Sequence, residues 1–110
     1  INLSLNKKAR NEDFIISKKS DKIHIDADKI KFPLTLRKWK KGDSFHPFGM
    51  KESKKLSDFF INEKINRNQK ENIWLLVSDN KIVWIIGLRM DERFRITEKT
   101  KNILEISLYQ

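Results

Sequence analysis

Ile73-Trp74-Leu75-Leu76-Val77 and Ile82-Val83-Trp84-Ile85-Ile86 are two apolar runs of five that flank the polar tetrapeptide Ser78-Asp79-Asn80-Lys81. Runs this short, rich in β-branched and aromatic side chains and joined by an Asp-Asn turn, predict a β-hairpin. Neither run alternates with polar residues, so the hairpin is buried and forms the core, with Trp74 and Trp84 inside it. Gly87, just beyond, marks a bulge or a close backbone approach.

Working outward from the hairpin, Ile103 to Leu108 alternates Ile103, Glu105 and Ser107 against Leu104, Ile106 and Leu108, and Phe94 to Thr97 is a further short strand candidate. On the N-terminal side, Asp13–Ser17 and Lys22–Asp26 read as a second hairpin around Lys18-Lys19-Ser20-Asp21. In its second arm Ile23, Ile25 and Ala27 face one way and Lys22, His24 and Asp26 the other, the pattern of a half-buried strand. Pro33 confines Leu34–Arg37 to a sheet edge. Leu56, Phe59 and Phe60 fall at i, i+3 and i+4, which predicts the main helix over 54–63, with Ser53 or Ser57 as N-cap and Asn62-Glu63-Lys64 closing it. Asn66 to Asn72 is a loop or a single helical turn. The sum is an α+β, β-rich class: a small sandwich or barrel-like sheet of six or seven strands with one main helix, in a single domain over 1–110.

The 110 residues include no cysteine, which excludes a disulfide scaffold and a Cys-ligated zinc module. A hydrophobic share of 38% with three Trp and seven Phe excludes a disordered polycation, although 35% of residues are charged. The longest nearly pure apolar stretch, Ile82 to Leu88, is far too short to span a bilayer. Ile1-Asn2-Leu3-Ser4-Leu5-Asn6-Lys7-Lys8 is no signal peptide, because no apolar segment follows the charges. A start at Ile rather than Met leads to the expectation that the chain is a piece of a larger protein.

Twenty-four basic against 15 acidic groups give a formal net charge of +9. Residues 37–70 hold ten of the basic groups (Arg37, Lys38, Lys40, Lys41, Lys51, Lys54, Lys55, Lys64, Arg67 and Lys70) against four acidic ones, with Trp39, Phe45, Phe48, Phe59 and Phe60 threaded between them. A polyanionic partner explains that concentration, and a solubilising lysine coat explains it as well. If Ser53 caps the helix, Lys54 and Lys55 sit in its first turn, where cations oppose the macrodipole unless an anion binds there. If Ser57 caps it, they precede the helix and are solvated. Arg89, Arg93 and Arg95 form a second basic cluster that ion pairs explain.

No active site can be drawn. His24 with Asp26 lacks a third ligand or proton-transfer partner, so His24 reads as a solvated strand residue, and His46 reads as packing against its turn. Gly42, Gly49 and Gly87 are too scattered for a phosphate loop, and Ser44, Ser53 and Ser57 have neither a nucleophile elbow nor a base. Catalytic and metal-ligating residues are therefore expected to be none.

Gly42-Asp43-Ser44-Phe45-His46-Pro47-Phe48-Gly49-Met50, the helix start Lys54-Lys55-Leu56-Ser57-Asp58-Phe59-Phe60 and the later Ile82-Val83-Trp84-Ile85-Ile86-Gly87-Leu88-Arg89-Met90-Asp91 occur in that order. This arrangement resembles the C-terminal domain of the bacterial tRNA(Ile)-lysidine synthase family, over residues 34 to about 106. The family stretches are R-x-x-x-GD-x-F-x-P-x-GM, a KKLSDFF-like helix start and I-x-W-x-x-G-x-R-x-D. Three positions depart from it: Glu52 stands where glycine is usual, Asn66 where proline is usual and Lys70 where arginine is usual. Glu52 brings an acidic group and a stiffer backbone into the basic loop, and Lys70 keeps the charge but lacks the guanidinium fork.

The resemblance implies a cytoplasmic parent that uses ATP, with magnesium, to ligate lysine to the wobble cytidine of an isoleucine tRNA. Adenylation would belong to an N-terminal domain with an SGGxDS loop that this sequence lacks. The chain would be the accessory domain that holds tRNA at its acceptor arm, in a β-rich fold shared with part of the phenylalanyl-tRNA synthetase β subunit. It would carry no cofactor or metal of its own. The competing expectation is a protein-interaction or dimerisation module in which Trp39, Phe45 and Phe48 form an exposed patch rimmed by lysines.

Overall fold

The computed structural model describes residues 1–10 and 21–109. They form β1 (Asn2–Ala9), β2 (Lys22–Asp26), β3 (Thr35–Lys38), β4 (Ser44–Phe45), β5 (Lys54–Lys55), β6 (Trp74–Ser78), β7 (Lys81–Ile85), β8 (Arg89–Met90) and β9 (Asn102–Tyr109), with helices α1 (Leu56–Asn62) and α2 (Arg67–Glu71). Six of these strands have four or more residues. They assemble into a three-stranded sheet β1-β9-β2, a four-stranded sheet β3-β6-β7-β8 and a two-stranded ribbon β4-β5, all antiparallel. None of the sheets closes into a barrel.

The decisive hairpin is β6-β7. Asp79 and Asn80 take φ of 49° and 64°, the positive values that a two-residue primed turn demands at both central positions. Pairing runs Ser78 to Lys81 and Val77 to Ile82, then jumps to Leu76 with Trp84, so Val83 is the extra residue of a bulge. The bulge puts the neighbours Val83 and Trp84 into one core, while Ile82 and Ile85 enter another.

Both faces of the four-stranded sheet are thus covered, which is why neither apolar run alternates with polar residues. On one face Leu76, Val83 and Trp84 pack against Ile23 and Ile25 of β2 and Leu104 and Ile106 of β9. On the other, Leu75, Val77, Ile82 and Ile85 pack against Phe45 of β4 and Leu56, Phe59 and Phe60 of α1. β3 is an edge strand bonded to β6 alone, as Pro33 suggested. The radius of gyration is 13.8 Å.

Several expectations change. The helix starts at Leu56 rather than 54, because Lys54 and Lys55 pair with Phe45 and Ser44 as β5. Its N-cap is Lys55, which makes no side-chain capping bond, so neither Ser53 nor Ser57 caps it. Phe94–Thr97 is not a strand: Glu92–Phe94 is a 3-10 turn capped by Asp91. Gly87 is neither a bulge nor a point of close approach, since a Cβ there would meet nothing within 4 Å; at φ 82° it forms the turn from β7 to β8. Trp74 is half-buried, with the Lys38 ammonium 4.6 Å from its ring centroid, whereas Trp84 is 1% exposed.

β2 is buried on both faces rather than one. Its polar residues are satisfied inside: His24 Nε2 lies 2.9 Å from Glu105 Oε2, and Asp26 accepts bonds from the Thr100 hydroxyl and the Asp28 amide. The first arm of the expected N-terminal hairpin, Asp13–Ser17, lies outside the described residues, and β2 pairs with β9. β1, which no sequence pattern announced, pairs with β9 along its whole length, from Asn2 opposite Tyr109 to Ala9 opposite Asn102. The segment Asn66 to Asn72 is a helical turn, with a capping box in which Asn66 accepts from the Gln69 amide and Gln69 accepts from that of Asn66.

Candidate nucleic-acid interface

The basic segment is organised around Asp43. Its carboxylate, 8% exposed, accepts both arms of the Arg37 guanidinium at 2.9 Å and the Lys40 amide at 2.8 Å. The Asp43 amide donates to the Lys40 carbonyl, and the Asp43 carbonyl accepts from the Leu56 amide, so one residue ties β3, the turn and the start of α1 together. Burial pushes the Asp43 carboxyl up, but the bonds from Arg37 and Lys40 and their charges outweigh it and hold the group below the usual carboxylate range. The same bonds raise Arg37. Gly42, at φ 99°, completes the turn.

Next to this hub, the Lys38 ammonium donates to the Glu71 carbonyl and the Trp39 indole to the Lys70 carbonyl, docking β3 onto the end of α2. Trp39 also meets Phe60 edge-to-face at 5.0 Å. The loop from His46 to Met50 is pinned from the other side. Asp91 is fully buried and accepts from the His46 amide, from the Arg93 amide and twice from the Arg93 guanidinium. The Phe48 amide donates to the Met90 carbonyl and the Gly49 amide to Glu92. Sequence alone gives Asp91 only the role of an ion-pair partner and gives Asp43 none. The GD and R-x-D stretches that contain them were the signal available.

The ten cations fall into two groups. Arg37 spends its fork on Asp43, and Lys38 spends its ammonium on a backbone carbonyl. Lys40, Lys41, Lys51, Lys55, Lys64 and Arg67 are exposed, Lys54 and Lys70 half-buried, and none of these eight has a carboxylate partner among the described residues. The later arginines differ: Arg89 pairs with Glu63, Arg93 with Asp91 and Arg95 with Glu92, at 2.8 to 2.9 Å, as ion pairing predicted. Lys54 and Lys55 precede the first turn of α1, so the expectation that they occupy it does not hold. The patch needed for a protein-interaction module is not formed, since Phe45 is 0% exposed and Trp39 is tied inward, leaving only Phe48 outside. His46 packs in its turn, half-buried, with Nδ1 lacking a partner.

No group of three His, Cys, Asp or Glu that could hold a metal occurs among the described residues, and no helix among them is long and apolar enough to cross a membrane. Such a molecule is a small β-rich domain that turns lysines outward on a hydrogen-bonded frame. Residues 34–107 match the family described as TilS substrate C-terminal domain, and the chain belongs to that family. It is 51% identical over 97% of its length to tRNA(Ile)-lysidine synthase of Parabacteroides distasonis, and 44% identical over 84% to that of Bacteroides thetaiotaomicron. It spans 24% and 22% of those relatives, roughly a quarter of each. Its fold matches a crystal structure of a TilS C-terminal domain at TM-score 0.73 and 20% identity, over 96% of this chain and 82% of that one. An N-terminal fragment of the phenylalanyl-tRNA synthetase β subunit from Pyrococcus horikoshii matches at TM-score 0.61 and 22% identity, over 81% and 28%.

Proposed function

We propose that this chain is the tRNA-holding C-terminal domain of a cytoplasmic tRNA(Ile)-lysidine synthase, in which a separate N-terminal domain uses ATP and magnesium to ligate lysine to the wobble cytidine. The observation that carries the reading is the contrast in pairing: eight cations from Lys40 to Lys70 form no ion pair among the described residues, while Arg89, Arg93 and Arg95 are each neutralised. Unneutralised cations on a hydrogen-bonded frame suit a phosphate backbone. Lys40, Lys41, Lys51, Lys54, Lys55, Lys64, Arg67 and Lys70 make the contacts, and Arg37 and Lys38 hold the loop that presents them.

The partner surface is the acceptor arm. Duplex RNA hides its base edges in a deep, narrow groove, so a compact module reads it through phosphates, 2′-hydroxyls and shape. Gly42, Gly49 and Gly87 sit in three separate turns rather than in one loop that could cradle a triphosphate, which supports assigning ATP to the separate domain. A nuclease footprint of the full-length parent on its tRNA, with and without residues 1–110, tests the proposal. Loss of acceptor-arm protection on deletion is expected, and an unchanged footprint would overturn it.

A further inference from the structure

Phe48 stands apart from the other aromatics of the basic segment. Phe45, Phe59 and Phe60 are buried and Trp39 is tied down, but Phe48 is 50% exposed and belongs to neither core, and Met50, across Gly49, is 43% exposed. An exposed aromatic on a slack loop would mean little. This loop is fixed at consecutive amides: His46 to Asp91, Phe48 to Met90, Gly49 to Glu92 and Met50 to Pro47, with the His46 carbonyl taking the Glu92 amide. Gly49, at φ 91°, makes the tight turn that sets the two side chains on either side of it. Since these amides are already used, the loop tip has an apolar face to offer rather than a phosphate cradle. Unpaired Lys51 follows directly, and Lys54 and Lys55 stand on β5, whose partner β4 leads into this loop.

We propose, building on the tRNA-holding reading above, that Phe48 is a stacking platform for an unpaired nucleobase of the single-stranded 3′ tail that continues the acceptor duplex. Every base has a π-face, so a fixed aromatic beside cations binds single-stranded RNA without needing its sequence. A tRNA acceptor arm offers duplex phosphates and unpaired bases within one module's reach, and the lysines and Phe48 divide those tasks. Fixing the loop beforehand lowers the ordering cost of the stack. A lone ring with one thioether is too small a patch for a stable protein interface.

The test uses the 110-residue chain with two fluorescent RNA hairpins that share one acceptor stem, one blunt and one with a four-nucleotide 3′ tail. The tailed hairpin should bind about tenfold more tightly, the size of one base–aromatic stack. Phe48→Ala should abolish that difference while leaving the blunt hairpin's affinity unchanged, and Phe48→Tyr should keep it. Phe32→Ala, which removes a ring that is 67% exposed at the far end of β3, should leave the difference intact. Circular dichroism should show every variant folded at the binding temperature, because Phe48 and Phe32 both lie outside the two cores. Equal binding of the two hairpins, or a tail preference that survives Phe48→Ala, overturns the platform and spares the tRNA-holding reading. Failure to bind either hairpin overturns both, and self-association lost in Phe48→Ala overturns the platform in favour of a protein contact.

Discussion

Replacing Asp43 by Asn removes one charge and little volume, and it tests whether the basic loop is built on that carboxylate. Asp43 accepts three bonds, two of them from a guanidinium. Hydrogen bonds to charged groups contribute about 1.5–3 kcal/mol each, and breaking a fully buried ion pair costs ~3–5 kcal/mol. Arg37 remains 31% exposed, so water recovers part of the loss. The amide oxygen of Asn can keep one bond, while its NH2 would face a guanidinium donor. The balance is a destabilisation of about 2–3 kcal/mol, or a fall in Tm of roughly 10–20 °C for a domain this size.

The pH dependence has a definite sign. The folded pKa of Asp43 is lowered, so its stabilisation is fully present above the unfolded value of about 3.9 and is lost as pH falls through the lower folded value. Thermal melts of wild type and Asp43→Asn should therefore differ by a constant amount from pH 7 to pH 5, begin to converge below about pH 4, where Asp43 of the unfolded chain takes up its proton, and meet only once pH has fallen through the lower folded value. Equal melts at pH 7, or a gap that persists undiminished to pH 2, would refute the clamp. Arg37→Lys, which keeps the charge but not the fork, should fall between the two.

Trp84→Ala should cost ~3–5 kcal/mol and leave the domain largely unfolded at 37 °C, since the indole is 1% exposed between two sheets. Trp39→Ala, which loses one hydrogen bond and one edge-to-face contact at a half-buried site, should melt above it in the same calorimetric scan. The double reversal Lys41→Glu/Lys55→Glu, at two exposed unpaired positions, should weaken tRNA binding by the full-length parent and flatten its salt dependence by about 2 units in log K against log salt. Reversal of Lys7 and Lys101 should leave that slope close to wild type, as filter binding across a salt series would reveal.

What could be read in advance follows from how local each determinant is. The β6-β7 hairpin and the Leu56-Phe59-Phe60 stripe rest on neighbours in sequence, and they stand. β1 could not be read because it is an exposed, polar edge whose only reason to be extended is β9, about a hundred residues away. The assignment of Lys54 and Lys55 to the helix failed for the same reason. Helical spacing does extend back to them, but their pairing with Ser44 and Phe45, and the bond from the Leu56 amide to the Asp43 carbonyl, are decided by the ribbon. His24 and Asp26 were read as solvated because alternation says nothing about a partner such as Glu105 or Thr100 arriving from another strand.

The mixture of aromatic and basic residues between 37 and 70 invites a single explanation, and the structure supplies two. A four-stranded sheet buried on both faces needs a second apolar layer, and α1 is only seven residues long. Three phenylalanines, Phe45, Phe59 and Phe60, must therefore come from this segment, where they meet one another at 5.1 and 5.9 Å. With these three rings turned inward, the segment has mainly lysines for its outer surface. Of its four acids, Asp43 is engaged by Arg37 and Glu63 by Arg89, while Glu52 and Asp58 are exposed and in no ion pair among the described residues, so ten cations still outnumber the acids left to offset them. Interleaving thus serves the core with one set of residues and leaves charge outside with the other. Phe48 breaks the division, because its ring belongs to neither core and stays half-exposed on a loop held by Asp91, Met90 and Glu92. Fixing a ring with half of its surface in solvent forgoes part of the burial energy that a core position would give, and that imbalance points to a ligand for Phe48 rather than for Trp39.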